Sequence, residues 1–155
     1  MTVLVRAPFA ARVLSLGEVP DPVFASGVVG GGCALAPPAT TGCLTVRSPI
    51  DGVVTKLKPH AVIVTSTSGV AILVHLGIDT VSLHGKGFAA LVDEGEVVAV
   101  GDPLIHWDLR PTRDAHLSPC VPIIAVSPAG TAVTREARAG EASVLEPLFA
   151  ASAPR

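Results

Sequence analysis

The stretch Gly69–Val81 reads GVAILVHLGIDTV, an apolar run that is followed by a histidine and, four residues later, by an aspartate. A second apolar run, His60-Ala-Val-Ile-Val64, precedes it, and Thr65-Ser-Thr-Ser68 separates the two. Short β-branched runs around a segment of Ser, Thr and Gly are typical of an antiparallel hairpin. We therefore predict two paired strands here, each carrying one histidine.

The length of the turn decides which residues of this hairpin lie opposite each other. With Ser66–Gly69 as a four-residue turn, His60 lies directly opposite His75 and Val62 lies opposite Leu73 on the same face. Opposed side chains have Cβ atoms about 4.5–5.5 Å apart. A slip of one residue would turn one histidine to the other face, so this prediction depends on the turn. The register predicts two facing imidazoles on an apolar surface.

The composition indicates a globular all-β chain. The 155 residues are 49% hydrophobic and only 15% charged, and 14 prolines and 15 glycines interrupt short apolar runs along the whole length. Runs of strand length at this spacing favour an antiparallel β-sandwich or barrel with short helical turns over alternating βαβ units. We expect a single domain over residues 1–155, one helical turn within Pro111–His116, and a frayed tail from about residue 147.

The charge and hydropathy patterns argue against several partners. A net charge of −2, with four Phe, one Trp and no Tyr, provides neither a basic surface nor stacking platforms for nucleic acid. The sequence contains no apolar stretch of the ~18 residues needed to span a bilayer and no signal-peptide pattern, so we expect a cytoplasmic protein without direct membrane insertion. Cys33, Cys43 and Cys120 are widely spaced, which favours buried reduced thiols over a disulfide framework.

The paired histidines are compatible with two kinds of chemistry. A neutral imidazole is a nucleophile toward a phosphoryl group, and a second imidazole can donate a hydrogen bond to the phosphoryl oxygens. Alternatively, His60 and His75 could hold zinc, either with Asp79 as in a hydrolase or with a carboxylate from a binding partner. His75 and Asp79 have the H-x-x-x-D spacing of some zinc peptidases, although the sequence lacks the H-x-H pair that such enzymes also need.

The remaining histidines are less informative. Each stands in a loop or strand context with no second histidine brought beside it by a hairpin. We predict surface or packing roles for them; they are His84, His106 and His116.

The chain resembles the glucose-type enzyme IIA domain of the bacterial phosphoenolpyruvate-dependent sugar phosphotransferase system. The pattern H-x-G-I-D-T-V at His75, with a second histidine fifteen residues upstream, is the specific part of the resemblance. Further matching segments extend from about Ala7 to the last strands; they are VPDPVF (19–24), SPIDGVVTKL (48–57), GKGF (85–88) and VGDPLI (100–105).

The resemblance implies an antiparallel β-sandwich that carries phosphoryl groups and needs no cofactor. His75 matches the histidine that is phosphorylated on Nε2 by the phosphocarrier HPr and that passes the group to a cysteine of the cognate enzyme IIB. His60 matches the second active-site histidine, which contacts the phosphoryl group. Asp79 matches a family aspartate beside the site, and we expect it to shape the site without touching the phosphoryl group.

The resemblance also implies an apolar docking rim for HPr and enzyme IIB, and it leaves room for additional regulatory targets. The rim is predicted to consist of Val23, Phe24, Val29, Leu73 and Leu76. Leucines stand at 73 and 76 where the family often has phenylalanine, and Lys58 replaces a frequent threonine two residues before His60. The transported sugar is not readable from this chain.

Overall fold

The computed structural model describes residues 1–136 and 139–155, and within them the chain forms fourteen β-strands, two short α-helices and two 3₁₀ turns. The strands are Thr2–Arg6 (β1), Ala11–Leu14 (β2), Gly31–Ala36 (β3), Cys43–Arg47 (β4), Gly52–Lys58 (β5), Ala61–Thr65 (β6), Ala71–His75 (β7), Phe88–Ala90 (β8), Val97–Val98 (β9), Pro103–Asp108 (β10), Val121–Ser127 (β11), Ala132–Arg135 (β12), Gly140–Ala142 (β13) and Pro147–Ser152 (β14). The helices are Pro22–Ala25 (α1) and Arg110–Asp114 (α2), and the 3₁₀ turns are Leu16–Glu18 and Thr80–Leu83. None of the helices in the described ranges is long and apolar enough to cross a membrane.

The strands form three antiparallel sheets. The largest has eight strands in the order β13-β2-β3-β11-β7-β6-β5-β9, and two smaller sheets have the orders β1-β14-β12 and β4-β10-β8. All of the recorded strand pairs among the described residues are antiparallel. The predicted all-β sandwich with short helical turns is confirmed, and the predicted helical turn lies at Arg110–Asp114, one residue earlier than expected.

The core lies between the sheets and consists of the side chains on one face of each central strand. In the hairpin, Val62 and Val74 are at most 1% exposed, whereas Leu73 and His75 on the other face are only partly buried. The largest fully buried side chains are Trp107 and Phe149. Burial of apolar area on one face is the main stabilising contribution, and it fixes which residues remain on the outer face.

The hairpin register differs by one residue from the prediction. β6 and β7 pair Val62 with Val74 and Ala61 with His75, because the connection is a five-residue loop, Ser66–Val70. Within this loop the Ser66 N–H donates to the Val70 carbonyl oxygen at 2.8 Å, and the Val70 N–H donates to Ser66 Oγ at 3.2 Å. The predicted pairs of His60 with His75 and of Val62 with Leu73 are therefore wrong.

The C-terminal segment is a central strand and not the frayed tail that we predicted. β14 pairs with β1 on one side and with β12 on the other. Leu148 and Phe149 are 0% and 1% exposed and belong to the main core. The prediction is wrong because the strand is stabilised by β1, from the opposite end of the chain, and such a long-range partner leaves no local signal in the sequence.

A second, smaller core attaches the segment around α1 to the outer face of the large sheet. Its buried members are Val19, Ala34, Ile78 and Cys120, and the half-buried ring of Phe24 packs against them. This cluster joins the chain before α1 to the segment that follows β7. It therefore brings α1 to the end of the strand that carries His75.

The three cysteines have different environments. Burial raises the pKa of the Cys33 thiol to about 12 and that of Cys120 to about 11, so both are protonated and unreactive at neutral pH. Cys43, the first residue of β4, is exposed, which corrects the expectation that all three thiols are buried.

Candidate functional site: a histidine pair

The two histidines singled out in the sequence lie together at one end of the large sheet. Their ring centroids are 5.2 Å apart, and the ring planes meet at 74°, an edge-to-face arrangement. His75 is the last residue of β7 on its outer face, and His60 lies in the turn between β5 and β6. The prediction that these two imidazoles share a site agrees with the structure, although the predicted register does not.

The histidines meet because His60 lies outside the regular strand. The Leu76 N–H donates to the His60 carbonyl oxygen at 2.7 Å, which continues the observed pairing one residue beyond Ala61 and His75. In a strand, neighbouring residues point to opposite faces. His60 belongs to a turn, so this alternation does not constrain its side chain, and its ring can lie beside that of His75.

The tautomer of His75 follows from one hydrogen bond. Its Nδ1 lies 2.7 Å from the carbonyl oxygen of Gly77. A carbonyl oxygen can only accept a hydrogen bond, so Nδ1 carries the proton in the neutral ring and Nε2 carries the lone pair. Gly77 has φ +83°, a left-handed conformation that glycine adopts without strain and that turns its carbonyl back toward the ring.

Burial keeps His75 neutral over a wider pH range than a free histidine. Loss of solvent lowers its pKa, and the hydrogen bond to Gly77 and the carboxylates of Asp21 and Asp79 oppose that effect without cancelling it. The pKa of His60 is also lowered, first by burial and then by the charges of His75 and Lys58. Both rings are therefore neutral near pH 7, the form in which an imidazole nitrogen is nucleophilic.

Asp79 lies beside the pair without a direct hydrogen bond to it among the described contacts. It is exposed and has φ +60°, and the Ser82 hydroxyl donates to its carbonyl oxygen at 2.8 Å. Its carboxylate is close enough to raise the pKa of His75. Its role in shaping the site stays a prediction.

Asp21 is a residue that the sequence analysis missed. Its carboxylate accepts from the backbone N–H groups of Val23 and Phe24 at 2.8 and 3.3 Å, and it thereby caps α1. The same carboxylate raises the pKa of His75. An aspartate directly before Pro22 is a recognisable helix start, so the cap could have been found from sequence, whereas its proximity to His75 could not.

Phe24 contacts His75 directly. Its ring centroid is 5.2 Å from that of His75, with the planes tilted by 54°. Val23, next to it, is 55% exposed, and Val29 and Leu73 are partly buried. These four predicted rim residues therefore retain accessible surface.

Leu76 does not belong to the rim. It is 0% exposed and lies in the main core, because side chains alternate along the strand and Leu76, next to the outward-facing His75, points inward like Val74. Two exposed valines were missed, Val28 at 77% and Val81 at 64% exposed. They lie on the two segments that flank the pair, the loop after α1 and the 3₁₀ turn after Asp79.

The described residues do not support a zinc hydrolase. Within residues 1–136 and 139–155, no three His, Cys, Asp or Glu side chains are grouped so that they could hold a metal ion. Asp79 therefore does not complete a three-ligand set with His60 and His75. The other three histidines, His84, His106 and His116, are exposed, as their predicted surface roles require.

Comparison with known proteins identifies the family. The family model for the phosphoenolpyruvate-dependent sugar phosphotransferase system, EIIA 1, matches residues 3–130. A glucose-specific EIIA component from Oceanobacillus iheyensis is 41% identical over 124 residues, which are 79% of this chain and 73% of that protein. A glucose-specific EIIA component from Bacillus cereus is 42% identical over 120 residues, 76% of this chain and 70% of that protein.

The fold agrees with the sequence comparisons. The glucose permease IIA from Mycoplasma capricolum superposes with a TM-score of 0.87 at 31% sequence identity, over 97% of this chain and 96% of that one. The family model and the shared fold identify the class of protein, a phosphotransfer component. The chain belongs to the EIIA 1 family of the phosphoenolpyruvate-dependent sugar phosphotransferase system.

Proposed function

We propose that this chain is a phosphocarrier in which Nε2 of His75 accepts a phosphoryl group from phospho-HPr and passes it to a cysteine of a cognate enzyme IIB. The observation that carries the proposal is the hydrogen bond between His75 Nδ1 and the Gly77 carbonyl oxygen, which leaves the Nε2 lone pair free. In the first step Nε2 attacks phosphorus, an N–P bond forms, and the N–P bond in phospho-HPr breaks. The Nδ1 proton stays in place.

The second transfer reverses the role of His75. The thiolate of the enzyme IIB cysteine attacks phosphorus, an S–P bond forms, and the His75 N–P bond breaks. The imidazole leaves with its lone pair on Nε2 and is again the neutral tautomer that the Gly77 carbonyl favours. The protein thus returns to its starting state, and sugar uptake is driven by the membrane component that receives the group.

His60 is proposed to stabilise the phosphoryl group in both transfers. Its ring lies edge to face with that of His75, so an imidazole N–H can reach the oxygens of a group bound to His75. Burial holds its pKa low, so it acts as a hydrogen-bond donor without carrying a charge in the resting protein. Asp79 is proposed to orient the partners, since a carboxylate in direct contact would repel the phosphoryl dianion.

The proposed docking rim now consists of the exposed or half-buried apolar side chains around the pair. An apolar patch around a small polar centre suits brief contacts with exchangeable partners. The same face could serve regulatory targets, whose binding would then depend on the phosphorylation state of His75. The rim residues are Val23, Phe24, Val28, Val29, Leu73 and Val81.

No step of this proposal passes through a metal. Zinc shared between the histidine pair and a partner carboxylate is a separate prediction, and a chelator tests it. If a chelator leaves the binding of every partner unchanged, shared zinc has no role.

The proposal is tested by following the two transfers separately. The wild-type chain and His60→Ala are phosphorylated by phospho-HPr, purified, and mixed with enzyme IIB. His60→Ala is expected to accept the group but to release it about a hundredfold more slowly, the usual effect of losing one transition-state hydrogen bond. His84→Ala, which removes an exposed histidine, serves as the matched control and should transfer normally.

One result would overturn the whole proposal, and a second would overturn the role of His60. A wild-type chain that takes no phosphoryl group from phospho-HPr is not a phosphocarrier. Transfer by His60→Ala at the wild-type rate would remove the proposed role of His60 and leave only that of His75.

A further inference from the structure

The loop that follows His75 depends on a buried threonine that takes no part in the chemistry described above. Thr80 is 0% exposed, and its hydroxyl donates to the carbonyl oxygen of Leu76 at 2.7 Å. Leu76 and Thr80 are the two ends of the turn that contains Gly77. The hydroxyl therefore closes this turn and fixes the peptide unit between Leu76 and Gly77.

The methyl group of Thr80 touches the same turn from a second direction. A Cβ added to Gly77 would lie 2.5 Å from Thr80 Cγ2 and 3.0 Å from the Ser118 carbonyl oxygen. The side chain of Thr80 thus packs directly against the Cα of Gly77. The hydroxyl holds one end of the turn, and the methyl group supports the glycine whose carbonyl binds His75 Nδ1.

The rest of the turn is attached to its surroundings by backbone hydrogen bonds. The Leu76 N–H binds the His60 carbonyl oxygen at 2.7 Å, and the Ile78 N–H binds the Ser118 carbonyl oxygen at 2.9 Å. Leu76 is therefore held at both of its backbone groups, its N–H by the His60 carbonyl oxygen and its carbonyl oxygen by the Thr80 hydroxyl. A rotation of the peptide between Leu76 and Gly77 would turn the Gly77 carbonyl oxygen away from His75.

We propose that Thr80 is a positioning residue: its hydroxyl holds the Leu76–Thr80 turn so that the Gly77 carbonyl oxygen keeps His75 in the Nδ1–H tautomer, with Nε2 free to react. The structural part of this inference, that Thr80 determines the tautomer of His75, concerns the unphosphorylated protein. The functional half, that the tautomer sets the rate of phosphoryl acceptance, rests on the proposed phosphocarrier function.

The chain provides a matched set of variants. Thr80→Val removes the hydroxyl and keeps the shape, and Thr80→Ser keeps the hydroxyl and removes the methyl group. Thr112→Val is the control, because Thr112 in α2 is also 0% exposed and its hydroxyl has no hydrogen-bond partner among the described residues. If Thr80→Val does not fold, Thr80→Ala removes the same hydroxyl without the volume of valine.

The primary measurement is the tautomer of His75 in long-range ¹H–¹⁵N spectra of the unphosphorylated protein labelled with ¹⁵N-histidine. In the wild type, in Thr80→Ser and in Thr112→Val, we expect the proton on Nδ1. In Thr80→Val we expect part of the population to carry it on Nε2, with phosphoryl acceptance roughly five- to tenfold slower, the rate equivalent of one buried hydrogen bond. A lesion that is only structural would lower stability and leave the tautomer unchanged.

The outcomes separate the two proposals. If Thr80→Val or Thr80→Ala folds and His75 keeps the Nδ1–H tautomer, the positioning role of Thr80 is overturned. If His75 in Thr80→Ser no longer has the Nδ1–H tautomer, the role is overturned as well. A tautomer shift without any loss of acceptance rate overturns the functional half. A wild-type protein that never accepts a phosphoryl group refutes the proposed function, while the spectra still decide the role of Thr80.

Discussion

The Nδ1 atom of His75 lies 2.7 Å from the carbonyl oxygen of Gly77, two residues beyond the end of the strand that carries the histidine. This contact assigns different roles to the two ring nitrogens. Nδ1 is occupied as a donor, and Nε2 keeps a free lone pair in a ring whose centroid lies 5.2 Å from that of His60. Nε2 is therefore the atom that we propose as the nucleophile.

The position of the phosphoryl group is the first prediction. Because Nδ1 keeps its proton and donates it to the Gly77 carbonyl oxygen, the phosphoryl group should be found on Nε2 of His75. ³¹P and ¹⁵N spectra of the phosphorylated, ¹⁵N-histidine-labelled protein distinguish the two isomers. A phosphoryl group on Nδ1 would show that the hydrogen bond breaks during transfer.

A second prediction concerns the docking rim. Val23→Asp places a charge on an exposed apolar residue beside Phe24, and it should raise KM for phospho-HPr by about tenfold, equivalent to ~1.4 kcal/mol of lost binding. The rate at saturating phospho-HPr should change little, since the substitution does not touch the histidines. Val144→Asp, at an exposed valine outside the flanking segments, is the control. Equal KM values for the two variants would argue against a rim at Val23.

The third prediction is a pH dependence of stability. The folded protein holds the pKa of both His75 and His60 below the ordinary value of 6.5, so the unfolded chain binds more protons as the pH falls through that value. The contribution of the pair to stability is therefore complete above pH 6.5 and decreases below it. Urea unfolding of the wild type should show a falling unfolding free energy between about pH 7.5 and pH 5.

The control for this effect removes the titrating groups. The double variant His60→Gln/His75→Gln should lose less unfolding free energy over the same pH range, whatever its stability at pH 7.5. An identical pH slope in both proteins would mean that the two histidines have ordinary pKa values in the folded state.

The C-terminal strand provides a fourth prediction. Phe149 is 1% exposed in a strand that is paired on both sides, so Phe149→Ala should lower the unfolding free energy by about 3–5 kcal/mol. Val144→Ala, at a residue that is 48% exposed, should change it by about 0.5 kcal/mol or less. Similar denaturation midpoints for the two variants would mean that β14 contributes little to the core.

The local parts of the fold were accessible from sequence. The apolar runs at Ala61 and Ala71 became β6 and β7 because β-branched residues and a Ser/Thr turn specify a hairpin locally. The histidine pair and Asp79 came from the same stretch and from the family resemblance. The register was missed because a five-residue loop and a four-residue turn use the same residue types, and only packing of Val62 and Val74 in the core chooses between them.

The parts that were missed depend on contacts between distant segments. β14 is stabilised by β1 from the opposite end of the chain. Asp21 reaches the site only because the second core packs α1 over β7, through Phe24 and Ile78. Such pairings leave no periodic signal in one sequence.

The measurement that tests the central claim most directly is the intact mass of the protein after incubation with phosphoenolpyruvate, enzyme I and HPr. We predict a gain of one phosphoryl group in the wild type, its loss after brief acid treatment, and no gain in His75→Gln. A stable adduct that survives acid, or an equal gain in His75→Gln, would contradict the assignment of His75 as the phosphorylated residue.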